Sequence, residues 1–212
     1  MVAAKLIDKD QKRRGIARAA MEVFSERGFD ATSMSLVAVA AGVGKGTIYE
    51  YFDSKDEMIA AAILIWIEDI IEGARSLSQR IEDPEQRLRT FVGESMAEFT
   101  RDQSAIQTAI SVFQVILSNL DSSKWFDPIQ AAFKDIWKTI VQIIMDGHEK
   151  GVFSIEDNLE AEKIAINLVA FLDGICLHYY ASGGRFDLMT QVDHYMKYLL
   201  EESLKKTVIG NR

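Results

Sequence analysis

The amino-acid sequence predicts an all-α protein of about nine helices. Two prolines, Pro84 and Pro128, occur in the 212 residues, and proline is the residue that most strongly ends a helix. Apolar residues recur at intervals of three and four along several long segments, which is the spacing of one helix face. We expect a small trio of helices over residues 1–53 and a larger helical bundle over residues 54–212.

The first three helices are predicted from apolar spacing and glycine stops. The first runs from about Lys9 to Arg27 and ends at Gly28, because glycine tolerates the left-handed backbone that commonly ends helices. Ser33 can cap the second helix through its hydroxyl, and residues 42–44 separate that helix from a short third one. Two helices joined by a short glycine-containing turn form the helix-turn-helix arrangement.

The third helix, near residues 45–52, is thin and polar. Its apolar residues are Ile48 and Phe52, while Lys45, Thr47 and Tyr49 carry hydrogen-bonding groups. A narrow helix with such side chains suits insertion into the major groove of DNA.

Capping signals place the next two helices. Ser54–Glu57 is a capping box that starts a fourth helix, which runs to about Arg80. Asp83–Gln86 starts a fifth, with Pro84 at the first helical position, where its missing N–H costs nothing. Both helices carry apolar stripes at helical spacing.

The remaining helices follow in the same way. A sixth spans about Ser104 to Ser118, and a seventh runs to Gly151. Asp157 or Asn158 caps an eighth, which ends near residues 182–184. Asp187 opens a ninth.

The composition is ordinary for a soluble domain, at 48% hydrophobic and 26% charged residues. The single cysteine, Cys176, excludes an intrachain disulfide and is typical of the cytoplasm, where we place the chain. The longest apolar run, residues 58–67, is about half of a membrane span. The N-terminus has no apolar signal segment. We therefore expect no membrane partner.

The net charge of −8 is compatible with DNA binding, because the acidic excess lies outside the N-terminal trio. Residues 1–60 carry nine basic and nine acidic side chains, whereas residues 61–212 carry fifteen basic and twenty-three acidic ones. The first eighteen residues contain a candidate basic arm, formed by Lys5, Lys9, Lys12, Arg13, Arg14 and Arg18. Phosphate contact is one explanation of this arm, and a solvated surface is an equally good one.

Residues 14–58 closely resemble the TetR family of bacterial transcriptional regulators. The matching residues fall in register without a gap: Arg14, Ile16, Ala19, Ala20, Val23, Phe24, Gly28, Thr32, Val37, Ala38, Ala41, Gly42, Val43, Lys45, Gly46, Thr47, Ile48, Tyr49, Tyr51, Phe52, Ser54, Lys55 and Met58. The resemblance implies a homodimer that binds a near-palindromic DNA operator. It also implies a C-terminal domain that binds a small-molecule effector.

The resemblance further implies particular DNA contacts. Lys45, Gly46 and Thr47 would enter the major groove, and Tyr49 and Tyr51 would touch phosphate or a thymine methyl group. A lysine at the start of the fourth helix would contact the DNA backbone. The full predicted DNA-binding set is Thr32, Ser33, Gly44, Lys45, Gly46, Thr47, Tyr49, Tyr51 and Lys55.

Three positions depart from the family pattern. Gly44 replaces the usual hydroxyl or amide cap, so a phosphate contact from that side chain is lost. Leu36 stands where a polar or acidic residue is common. Glu50 occupies a position that is often aromatic or basic. It either accepts a hydrogen bond from cytosine N4 or points away from DNA, and from the sequence we favour the second.

The bundle is rich in aromatic residues, which is typical of core packing and of sites for apolar ligands. An effector site also needs a few inward-facing polar groups. The candidate ligand residues are Gln107, Phe113, Gln114, Trp137, Asn167 and His178. A polar residue at such a position is more often part of the core or of its boundary than of a ligand site. The expected effector is a small apolar or aromatic molecule, and the acidic surroundings weakly favour a cation.

Helices eight and nine are the expected dimer surface, because they carry more apolar area than one monomer face needs. The candidate interface residues are Gly174, Ile175, Leu177, Tyr195, Met196 and Leu199. The alternative is that these residues cover the pocket helices within the monomer.

Catalysis is not expected. The three histidines, His148, His178 and His194, lie far apart and lack metal-ligand spacing, and Cys176 lies in an apolar stretch typical of an inert thiol. We predict no cofactor and no metal.

The predicted function is therefore a ligand-responsive transcriptional regulator, a repressor that its effector releases from DNA. The alternative is an architectural or complex-forming DNA-binding protein without an effector. A third class, a helical enzyme or a protein adaptor, has the least support.

Overall fold

The computed structural model describes residues 2–100, 103–118 and 123–204. Within these ranges it contains nine α-helices and no strand, which confirms the all-α prediction. In chain order the helices are α1 (Val2–Ala31), α2 (Met34–Ala40), α3 (Lys45–Tyr49), α4 (Lys55–Ser78), α5 (Pro84–Thr100), α6 (Gln103–Ser118), α7 (Ser123–Glu149), α8 (Asn158–Ala181) and α9 (Leu188–Tyr198).

The helices form two compact units. The first comprises Met1–Asp69 and Gln103–Ala132, and the second comprises Ile70–Asp102 and Phe133–Arg212. The long helices α4 and α7 each contribute to both units. The division predicted between residues 53 and 54 remains a prediction.

The start of α4 shows how capping fixes a helix end. Ser54 Oγ accepts a hydrogen bond from the Glu57 amide at 3.1 Å, as in a capping box. The return bond from Glu57 goes one residue further back, where Oε2 accepts from the Asp53 amide at 2.8 Å. At α5, Asp83 Oδ2 accepts from the Gln86 amide at 3.2 Å, so the aspartate before Pro84 is the cap.

Aspartates also cap α8 and α9. Asp157 Oδ1 accepts from the Glu160 amide at 2.8 Å, which selects Asp157 over Asn158 as the cap. Asp187 Oδ1 accepts from the Thr190 amide at 2.7 Å. After α9 the chain continues as a π-helical segment, Leu199–Leu204, which apolar spacing did not predict.

The predicted stop of the first helix is present as a break inside α1. Gly28 has φ 76° and ψ 173°, a conformation that strongly favours glycine, and a short turn to Ala31 follows it. Within the first unit α1 contacts both α2 and α6. The core of this unit includes fully buried residues from α1 to α4: Ile16, Ala20, Phe24, Val37, Ile48, Phe52, Met58, Ile59 and Ile63.

The second unit has its own continuous apolar core. Inside it α9 packs against both α5 and α8. Buried members come from α5, α7, α8, α9, the loop after α7 and the π-helical segment after α9: Leu88, Phe91, Ile140, Ile144, Phe153, Ala161, Leu168, Val192 and Leu200. The apolar stripe of α7, which runs from Phe133 to Ile144, joins this core.

Candidate functional site

Helix α3 packs into the core of the first unit with one side and exposes its other side to solvent. Ile48 is fully buried and Phe52, just beyond the helix, is 1% exposed. Lys45, Gly46 and Tyr49 are exposed, and Tyr49 shows half of its surface to solvent. The apolar side therefore fixes the helix while its polar residues remain free for a partner.

The turn before α3 is built from backbone hydrogen bonds. The Val43 amide donates to the Ala38 carbonyl at 2.9 Å, and the Gly42 amide donates to the Val39 carbonyl at 3.1 Å. Gly42 has φ 63°, which an L side chain rarely adopts. This glycine-dependent stop sets the direction in which α3 leaves the turn.

Gly44 is the N-cap residue of α3 and offers no side-chain hydrogen bond to it, as expected. The first amides of α3 therefore lack a side-chain acceptor at this end. Thr47 is half-buried, and its amide donates to the Gly44 carbonyl at 3.0 Å.

Thr32 and Ser33 have internal roles at the start of α2. Thr32 is 1% exposed, and its hydroxyl donates to the Gly28 carbonyl at 2.7 Å. Ser33 Oγ caps α2 by accepting from the Leu36 amide at 3.3 Å. These bonds account for both hydroxyls in the free protein, and their DNA contacts remain predictions.

Lys55 joins the start of α4 to the end of α1. Its Nζ donates to the Phe29 carbonyl at 2.9 Å and lies 4.3 Å from the centroid of the Phe29 ring. A cation is favourable at carbonyls that end a helix. Lys55 therefore ties the start of α4 to the end of α1, and its predicted contact with the DNA backbone remains untested.

Three arginines of the basic arm make contacts inside the first unit. Arg14 donates to Glu68 and to Asp69 of α4, at 2.9 Å each, and Arg18 Nε donates to Asp69 at 2.8 Å. Hydrogen bonding from Arg18, followed by charge from both arginines, lowers the pKa of Asp69. Arg13 lies 4.7 Å from the Phe52 ring centroid. Arg14 and Arg18 therefore join α1 to α4. The interpretation of these arginines as part of a phosphate-binding arm did not anticipate this role.

The ligand candidates are distributed over both units. Gln107 and Phe113 have side chains outside the described part of the chain, and Gln114 is exposed in the first unit. Asn167 and His178 are exposed in the second unit, so their surroundings give no support to the predicted ligand role.

Trp137 is the ligand candidate with an unusual environment. It packs against the core of the second unit, with its ring centroid 6.2 Å from that of Phe133. Its indole Nε1 is buried and has no hydrogen-bond acceptor among the described residues. A buried donor without an acceptor costs free energy, so a bound molecule with an acceptor group would be favoured here.

The predicted interface residues divide into exposed and buried groups. Gly174 and Leu177 on α8 are exposed, and Ile175 is half-buried. Met196 and Leu199 are 2% and 5% exposed, so they belong to the core of their own unit. Tyr195 is half-buried and stacks on Phe171, with ring centroids 3.8 Å apart.

Helix α8 contains a long apolar stretch. By length and composition alone it is the one described helix that could cross a membrane, although only 22% of its most apolar stretch is buried. Leu159, Ile166, Leu177 and Tyr180 are exposed large apolar residues on it.

Asp173 is a carboxylate of α8 whose environment was not anticipated from the sequence. Burial raises its pKa to about 6, and no described residue hydrogen-bonds or pairs with it. Burial, with the nearby Asp173 charge, also raises the pKa of Cys176 to about 12. This thiol is therefore neutral near pH 7, as an inert cysteine is. The sequence feature that could have indicated this environment is the position of Asp173, an isolated acidic residue within an apolar helical stretch.

Metal binding has no support in the described ranges, where no three histidine, cysteine or acidic side chains cluster in a way that could hold an ion. His148, His178 and His194 are exposed at separate places on the second unit.

Comparison with known proteins finds a family match within the first unit. Residues 16–62 match the model of the bacterial regulatory proteins of the tetR family. The transcriptional activator FasR of Mycolicibacterium smegmatis is 34% identical over 98 residues, which are 46% of this chain and 44% of FasR. The match thus spans less than half of that relative.

Two further similarities extend along the chain. The transcriptional repressor KstR2 of Rhodococcus jostii is 22% identical over 91% of each chain. FadR of Bacillus subtilis, solved in complex with stearoyl-CoA, superposes with a TM-score of 0.69 at 19% identity, over 88% of this chain and 96% of that one.

The family match covers the helices whose geometry supports DNA binding. The buried Ile48, the glycine turn before α3 and the exposed polar side of α3 all lie within it. The predicted fold and the predicted class of transcriptional regulator are confirmed. Residues 16–62 thus match the tetR family of bacterial regulatory proteins, and the relatives that match along most of the chain are transcriptional regulators.

Proposed function

We propose that this chain is a cytoplasmic repressor that binds a near-palindromic operator as a homodimer and is released by an apolar effector. It acts by binding and not by catalysis. The DNA-binding part of this proposal rests on the exposure pattern of α3. Its Ile48 side is buried, while Lys45, Gly46 and Tyr49 are exposed. Two such helices about 34–36 Å apart would occupy successive turns of the major groove.

The exposed apolar side of α8 supports the homodimer. Leu159 and Ile166 are seven residues apart, as are Ala170 and Leu177, and all four are exposed. A seven-residue apolar repeat is the pattern of a helix that packs along a partner helix. Gly174 lies on the same exposed stretch and would permit close approach. We assign this surface to a second copy of the chain, which also accounts for the high hydropathy of α8.

Trp137 supports an effector with an apolar body and a hydrogen-bond acceptor. Its buried Nε1 has no acceptor among the described residues, and Phe133, Ile136 and Val141 pack around the same core. A fatty acyl thioester combines both features. FadR, which shares this fold, is named as a stearoyl-CoA complex. We therefore propose a long-chain acyl compound as the effector class.

Binding of the effector would shift the equilibrium between conformations that bind DNA and conformations that do not. It weakens operator binding only by the difference between its affinities for the DNA-competent and the DNA-incompetent states. An effector that binds tightly but leaves operator affinity unchanged would contradict this mechanism and favour a regulator without a small-molecule signal.

We expect Lys45→Ala and Tyr49→Ala each to weaken binding to the operator by about 10- to 100-fold, because each removes a contact to DNA. The operator is first selected from a random duplex library with the native protein. Affinity is then measured by fluorescence anisotropy at several salt concentrations. Lys134→Ala, which replaces an exposed lysine of the second unit, is the matched control and should bind normally. Native affinity of both α3 variants for every tested duplex would refute DNA recognition by α3.

We expect Trp137→Phe to weaken the binding of stearoyl-CoA by about 3- to 10-fold, the value of one neutral hydrogen bond. Binding is measured by isothermal titration calorimetry. The control ligand is octadecyltrimethylammonium, which has the same chain length and no hydrogen-bond acceptor, and its affinity should change little. Equal losses for both ligands would show that the ring contributes only packing. Operator affinity without ligand should be unchanged.

A further inference from the structure

Glu50 directly follows α3 as its C-cap, keeps a helical backbone conformation and lies on the outward side of the helix. Gly46 and Glu50 are four residues apart, so they occupy the same face, and both are exposed. Ile48, two residues from each of them, is fully buried and therefore marks the opposite face. The side of α3 that points farthest from the core thus presents a glycine followed, one turn later, by a carboxylate.

Gly46 and Glu50 together determine how closely this face of α3 can approach DNA. Gly46 has no side chain, so it leaves nothing to hold the helix away from the base edges. A built Cβ at Gly46 would meet no atom within 4 Å, so the structure of the protein itself does not require glycine there. The side chain on that face that reaches furthest outward is then Glu50.

The Glu50 carboxylate is not used inside the protein. No described residue forms an ion pair or a side-chain hydrogen bond with it. Its neighbours one turn earlier in the helix, Gly46 and Thr47, are not cations, and neither are Asp53 and Ser54 in the segment that follows. In a DNA groove it would lose water and meet repulsion from phosphates, so a hydrogen-bond donor of the DNA must compensate.

Only two groups in the major groove can donate, adenine N6 and cytosine N4. Adenine N6 lies between two acceptors, its own N7 and thymine O4, which would repel a carboxylate. Cytosine N4 has an acceptor on one side only, guanine O6, and the apolar C5–H on the other. A carboxylate therefore discriminates in favour of cytosine.

We propose that Glu50 is a specificity-determining residue that accepts a hydrogen bond from the N4 amino group of a cytosine in each operator half-site. This inference rests on the proposed role of α3 in reading DNA. It assigns to one residue of this chain a particular base and a particular base atom.

The test is binding-site selection from a random duplex library with native protein, Glu50→Ala and Glu50→Gln. The native protein should select cytosine at one position of each half-site, with a preference of about 5- to 100-fold. Glu50→Ala should lose that preference and keep the others. Glu50→Gln should accept adenine there, because an amide both donates and accepts.

Glu26→Gln is the control for charge, since Glu26 is an exposed glutamate on α1 and the change in net charge equals that of Glu50→Gln. It should leave every base preference unchanged. If Glu50→Ala binds all duplexes more tightly and keeps the native preferences, Glu50 only repels phosphate and the inference is overturned. The inference also fails if Lys45→Ala changes recognition while both Glu50 variants select native sites. If Lys45→Ala is also without effect, the proposed function itself fails.

Discussion

Gly147→Ala will destabilise the protein by about 2–4 kcal/mol, although alanine is normally the better helix former. Gly147 is a buried residue of α7, and the chain turns back over it directly after the helix. The Val152 and Phe153 amides both donate to the Gly147 carbonyl, at 2.8 and 3.0 Å. The Phe153 ring consequently lies against the glycine, where a Cβ would overlap Cδ2 of the ring.

The ring cannot move away without loss. Phe153 is 3% exposed and belongs to the core of the second unit, so its displacement opens a cavity there. Complete removal of a buried phenylalanine side chain costs about 3–5 kcal/mol. The gain in helix propensity from glycine to alanine is about 1 kcal/mol, so the steric term is the larger one.

Urea unfolding followed by circular dichroism measures the effect. Gly73→Ala is the matched control, because Gly73 is an exposed glycine within α4 and a Cβ there would meet nothing within 4 Å. That variant should gain about 0.5–1 kcal/mol. In a Phe153→Leu background the cost of Gly147→Ala should fall, because leucine is smaller and more adaptable. Stabilisation by Gly147→Ala in the native background would disprove the close contact.

The helix order was predictable from local signals. The capping residues Ser54, Asp83 and Asp187 act on amides two or three residues away, so their effect can be read without knowing the fold. Gly28 stops the regular part of α1 for the same reason, since only its own backbone angles are involved. The helix-turn-helix follows from such local information.

Contacts between distant segments could not be predicted in this way. The ion pairs of Asp69 join residues more than fifty positions apart, and the interpretation of Arg14 and Arg18 as a phosphate-binding arm had no means to anticipate them. The unpaired indole of Trp137 likewise depends on which groups surround it. Glu50 is an intermediate case: from the sequence we favour an orientation away from DNA, whereas its exposure and its spacing from the buried Ile48 place it on the outward side of α3.

Asp173→Asn will stabilise the protein at pH 7.5 by about 2–3 kcal/mol and will have little effect near pH 4. Asp173 lies in the apolar stretch of α8, where burial raises its pKa from 3.8 to about 6. No described residue supplies a compensating charge or hydrogen bond. The folded state therefore holds this proton more tightly than the unfolded state does.

The sign of the pH dependence follows from this difference. Well below pH 3.8 the carboxyl group is neutral in both states, and it has no effect on the free energy of unfolding. Between about pH 4 and pH 6 the unfolded state loses the proton first, so stability falls as the pH rises. Above the folded pKa of about 6 the full penalty is present, which for a shift of two units is about 3 kcal/mol.

Asparagine keeps the size of the side chain and cannot ionise, so the variant should lose this part of the pH dependence. Thermal unfolding is measured from pH 4 to pH 8 at a single protein concentration, because the proposed dimerisation would link stability to concentration. Asp193→Asn removes an exposed charge from α9 and should follow the native curve. A constant difference between Asp173→Asn and the native protein at every pH would mean that burial of the charge is not what opposes folding.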